Sequence, residues 1–72
     1  MNELKLKING KEQQFKTEEK PFTIAELLNT LGIDQATVVA EVDGVIVERK
    51  NFGSFALETD QKIELIRFVG GG

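Results

Sequence analysis

The residues best suited to chemistry are the last four, Val69-Gly70-Gly71-Gly72. Glycine has no Cβ, so three in succession make a slim backbone strip that can thread a narrow active site. With the free Gly72 carboxylate at its end, the terminus looks like a chemical handle. Extended, residues 69–72 reach at most about 14 Å, at ~3.5 Å per residue. A folded body could therefore dock outside a partner's site while the carboxylate lies within it. We expect residues 1–69 to form the folded domain and 70–72 a flexible tail.

What the chain lacks narrows the chemistry. It has no cysteine and no histidine, so the commonest nucleophile and general base of enzymes are absent. Disulfides are excluded and a zinc site is not expected. No Walker-type phosphate loop is present, so the chain has no evident phosphate cradle of its own. A self-sufficient enzyme is not expected, nor a cofactor or metal bound by the chain itself. Twelve acidic and nine basic residues leave a net charge of −3, which disfavours nucleic acid and favours a basic protein partner. No apolar run approaches the length of a membrane span or signal segment, and the absence of cysteine fits the cytoplasm.

The elements that must position the tail are legible in the spacing. Leu4-Lys5-Leu6-Lys7-Ile8 alternates as a half-buried strand, and Asn9-Gly10 is a type I′ hairpin signal. The return, Lys11 to Thr17, is polar apart from Phe15 and reads as an edge strand. Thr23-Ile24-Ala25-Glu26 is a capping box. It opens a helix of about eight residues with Ile24, Leu27, Leu28 and Leu31 on one face, and Gly32 is placed to end it. Val38–Val42 and Val45–Val47 flank a second hairpin turn at Asp43-Gly44. Phe52 and Phe55 should tuck the following loop onto the core, and Ile63–Phe68 forms the last strand. One amphipathic helix over a mixed sheet of four to five strands is a two-layer α+β domain, with the first and last strands parallel at its centre.

Strand parity also predicts a docking face. If Ile63 and Leu65 face the helix, Glu64, Ile66 and Phe68 face away from it, and Val39 and Glu41 do likewise on the neighbouring strand. Val39, Ile66 and Phe68 would then form an apolar patch with an acidic rim, continuing through Val69 to the tail. Lys5 and Lys7 read as the solvated face of the first strand, and Arg67 as a side chain that snorkels to solvent. The carboxylates Glu41, Asp43, Asp60 and Glu64 show no ligand spacing.

This order of elements is that of the β-grasp, or ubiquitin-like, fold. Val38-Val39-Ala40-Glu41-Val42-Asp43-Gly44-Val45-Ile46-Val47 followed by Ile63-Glu64-Leu65-Ile66-Arg67-Phe68-Val69-Gly70-Gly71-Gly72 resembles the ThiS-type sulfur carriers of thiamine biosynthesis. Two departures, Glu48-Arg49 where that family commonly has Pro-Arg and Thr59-Asp60 where it has Gly-Asp, fall in local turns. The resemblance implies that a ThiF-type, E1-like enzyme adenylates the Gly72 carboxylate with MgATP. A persulfide donor then converts the acyl-adenylate to a thiocarboxylate, whose sulfur passes to thiazole synthase or another acceptor. A cysteine-free chain has no thiol of its own for that cargo, so the carboxylate is the place for it. The same tail would also suit a carrier for molybdopterin or amino-acid biosynthesis, a ubiquitin-like modifier that joins lysines, or a non-covalent β-grasp module.

Overall fold

A computed structural model describes residues 2–17 and 22–68. Val69 and Gly70–Gly72 lie outside that range, as does residue 1. Eight elements follow one another. β1 (Asn2–Ile8) and β2 (Lys11–Thr17) form a hairpin, and α1 (Ile24–Leu31) crosses over. A 3-10 turn (Gln35–Thr37) leads into β3 (Val38–Val42) and β4 (Val45–Val47), and a second (Arg49–Asn51) precedes β5 (Lys62–Arg67). The sheet order is β2-β1-β5-β3-β4, with β1 and β5 parallel and the other pairs antiparallel. This is the expected mixed sheet with one covering helix, five strands wide.

Both hairpin turns follow from residues that tolerate positive φ. Asn9 and Gly10 have φ of 50° and 83°, and Asp43 and Gly44 have 51° and 84°, the left-handed values that a type I′ turn requires. The helix is stopped in the same way. Gly32 has φ 72°, and the Ile33 amide donates back to the Leu28 carbonyl at 2.9 Å, a pattern that satisfies carbonyls left over at a helix end.

The opposite end of α1 leaves no backbone amide idle. Glu26 N–H donates to Thr23 Oγ1 while Thr23 N–H donates to Glu26 Oε1, each at 3.2 Å. Ile24 and Ala25 donate to the Phe55 and Phe52 carbonyls at 3.2 and 2.9 Å. The capping box thus serves one of the first three amides and the loop after β4 serves the other two.

The core lies between the helix and one sheet face. Leu6, Ile24, Leu27, Leu28, Ala40 and Ile63 are fully buried, and Phe52 nearly so. Leu31 and Phe55 are half-buried against it, and Phe15 stacks on Phe22 with ring centroids 5.6 Å apart. β5 begins one residue earlier than its apolar pattern indicates. Asp43 holds Lys62 at both ends, accepting its N–H on Oδ1 at 2.9 Å and donating to its carbonyl at 2.8 Å. Among the described residues no helix is long and apolar enough to cross a membrane.

Candidate functional site

The alternation of β3 and β5 places their side chains as parity predicts. Val38, Ala40, Val42, Ile63 and Leu65 are buried under the helix, whereas Val39, Glu64 and Ile66 face the other way. Val39 and Ile66 are direct cross-strand partners, so their side chains lie side by side on that face. Phe68 lies just past β5, and its amide still donates to the Thr37 carbonyl at 3.0 Å. Val39, Ile66 and Phe68 are 36, 51 and 49% exposed. They form one apolar area on the open face, at the end of β5 that leads to Val69 and the glycines.

Ile46 enlarges this area. It pairs with Glu41 on the same face and is 63% exposed, a position that sequence reasoning did not single out. Its signal was available in the register, because a tight Asp43-Gly44 turn pairs Val42 with Val45 and so Glu41 with Ile46. A groove beside β3 and β4 is lined by Val39, Ile46 and Phe68 together with Glu48, Arg49 and Phe52. Glu41 and Glu64 are also direct partners, next to the Val39–Ile66 pair. Two carboxylates opposite one another are unfavourable within the domain and give the apolar area an acidic rim.

Arg67 is exposed at the end of β5, where its partner is Val38. On the far side of the sheet face, Lys5 Nζ lies 3.7 Å from Glu12 Oε2 with both side chains exposed, and such a pair contributes little stability. Among the described residues no group of three or more His, Cys, Asp or Glu could hold a metal ion. Gly70, Gly71 and Gly72 fall outside the described residues. The structure therefore brings together the predicted patch residues Val39, Ile66 and Phe68, and leaves Val69 and the glycines to the sequence.

A single helix over a β2-β1-β5-β3-β4 sheet, with an apolar face beside the strand that runs into the glycines, defines a β-grasp domain of the ubiquitin-like class. The crystal structure of the thiamine biosynthesis protein ThiS from Geobacter metallireducens matches it with a TM-score of 0.78 at 31% identity. That match covers 96% of this chain and 100% of the other. The NMR structure of a thiamine biosynthesis protein from the same organism gives 0.73 at 30% identity, covering 96% and 88%. The sequence profile of the ThiS family matches residues 6–72. The chain belongs to the ThiS family. Two curated relatives are thiazole synthases, from Paramagnetospirillum magneticum and Magnetococcus marinus, at 35 and 32% identity over 69 residues. The match takes in 96% of this chain but only 20% of each of those proteins.

Proposed function

We propose that this chain carries sulfur for thiazole formation, with the Gly72 carboxylate as the carrying group. The observation that supports it most is a cysteine-free ThiS-family domain whose sheet presents exposed apolar residues on the strand leading to Gly70-Gly71-Gly72. A carboxylate is a poor electrophile, so the cycle begins in a separate ThiF-type enzyme. There the Gly72 carboxylate attacks the α-phosphate of MgATP and pyrophosphate leaves. The terminal sulfur of a persulfide displaces AMP from the acyl-adenylate, forming an acyl disulfide. A further thiol splits the sulfur–sulfur bond, leaving a thiocarboxylate on Gly72 and a disulfide on the donor side. The thiazole synthase relatives, which contain a stretch similar to this whole domain, support a thiazole synthase as the acceptor.

The test combines the purified chain with a ThiF-type enzyme, MgATP, a persulfide donor and a thiol reductant, read by intact mass spectrometry. The expected product has gained one oxygen-to-sulfur exchange, and it should disappear when ATP is omitted. No exchange under conditions that load a control carrier would sink the proposal.

The apolar area is where the adenylating enzyme is proposed to grip, with the Glu41–Glu64 rim favouring a basic residue opposite. Ile66→Glu and Phe68→Glu place a charge on side chains already half exposed, so the domain should stay within about 0.5 kcal/mol of the parent. Binding should weaken by roughly 30-fold or more, the effect of a hot spot worth ~2 kcal/mol. Titration calorimetry against the adenylating enzyme measures this directly. Unchanged affinity in both variants would place the grip elsewhere.

A further inference from the structure

β1 accompanies β5 for only part of its length. Their register covers Lys7–Lys62 and Ile8–Ile63, and the Asn9 amide adds one bond to the Ile63 carbonyl at 2.9 Å. The chain then turns away into β2, so β5 loses its backbone neighbour before its last residues. The Asn9 side chain takes that place. Leu65 N–H donates to Asn9 Oδ1 at 2.8 Å, and Asn9 Nδ2 donates to the Leu65 carbonyl at 3.2 Å. Both backbone groups of Leu65 are satisfied on that edge by a residue 56 positions away.

The turn alone does not require this side chain. Glycine or aspartate would serve the left-handed position of Asn9 equally. Only the carboxamide supplies a donor and an acceptor at that length. On the other edge, β3 holds Ile66 opposite Val39, and Thr37 accepts the Phe68 amide. Asn9 and β3 together clamp β5 immediately before Val69.

We propose that Asn9 is a positioning residue for delivery of the tail, an inference that rests on the carrier reading above. Its carboxamide holds the strand that precedes residues 69–72 in sequence, so the strand need not be ordered when the activating enzyme is met. Loosening it raises the ordering cost of docking and therefore the KM for the carrier, with kcat little changed.

Asn9→Gly separates the two roles of this position, because it keeps the turn and removes both side-chain bonds. Asn9→Asp keeps the acceptor and removes the donor. Amide exchange followed by NMR should show Leu65 roughly tenfold faster in Asn9→Gly and intermediate in Asn9→Asp, with the β3–β4 amides unchanged. In adenylation assays KM for the carrier should rise roughly fivefold in Asn9→Gly while kcat stays within about twofold. Faster Leu65 exchange with unchanged KM makes Asn9 a structural stitch only and overturns the proposal. Unchanged Leu65 exchange, or a uniform rise across all core amides, overturns it as well. A wild-type chain that the enzyme does not activate sinks the carrier reading itself, and the positioning role falls with it.

Discussion

A chain lacking Gly71 and Gly72 is expected to lose all thiocarboxylate formation while keeping the thermal midpoint of the full chain. Two residues of extended backbone span about 7 Å. In a site where about 1 Å of misplacement can lower a rate a hundredfold, a shortfall of that size leaves no productive geometry. The fold should not register the loss, because among the described residues the buried core runs from Leu6 to Leu65 and a glycine has no side chain to add to it. Appending one alanine after Gly72 is a stricter form of the same experiment. It preserves reach, yet moves the reactive carboxylate and gives it a Cβ. Intact mass spectrometry after loading, with circular dichroism melting as the folding control, measures both quantities. Persistent loading of either variant would remove Gly72 from the chemistry. Loading that survives in the full chain together with boiling-resistant conjugates to lysines would instead favour the modifier reading.

The residues of the proposed grip could be read from sequence because strands alternate with a period of two. Once Ile63 and Leu65 are assigned to the core, Ile66 and Phe68 have only one face to occupy, and the same holds for Val39 beside Val38 and Ala40. The two hairpin turns were legible for a local reason, since Asn9-Gly10 and Asp43-Gly44 are among the few pairs that accept left-handed backbone. Ile46 escaped because a strand of three residues, Val45–Val47, is too short for its own alternation to declare a face. Its side chain is placed by pairing with β3 instead.

Non-local hydrogen bonds account for most of what was not legible. Asn9 announces a turn, but nothing near it in sequence announces Leu65 as the partner of its carboxamide. Lys62 joins β5 through Asp43, nineteen positions away, although its polar side chain breaks the apolar run. The Gln35–Thr37 turn did carry a local cue, because Asp34 Oδ1 accepts the Ala36 amide at 2.9 Å as helix-capping aspartates do. The tail is the reverse case. Its residue types are its whole signal, and the packed body adds only the direction in which β5 points.

Phe52→Ala should produce the largest loss of stability of any single substitution outside the regular elements. Phe52 is 1% exposed although it sits in a loop, and it joins three parts of the molecule. Its side chain belongs to the core cluster with Leu27, Leu28 and Val47, and its carbonyl accepts the Ala25 amide in the first turn of α1. It also lines the groove that Ile46 and Phe68 open to solvent. Truncating a buried phenylalanine costs about 3–5 kcal/mol. A domain of this length has a total stability of roughly 4–11 kcal/mol at 0.05–0.15 kcal/mol per residue. The midpoint should fall by at least about 12 °C, at ~4 °C or more per kcal/mol for a chain of this size. Phe52→Leu keeps an apolar side chain and should cost less, within about 1.5 kcal/mol if the neighbours repack. Calorimetric melting of the pair separates packing from surface effects. A drop below about 4 °C for the alanine variant would mean that the loop, and with it one wall of the groove, is not anchored by this ring. The alanine variant should also bind the adenylating enzyme more weakly at temperatures where it is still folded. In that case the same ring that closes the core also shapes the surface beside the tail.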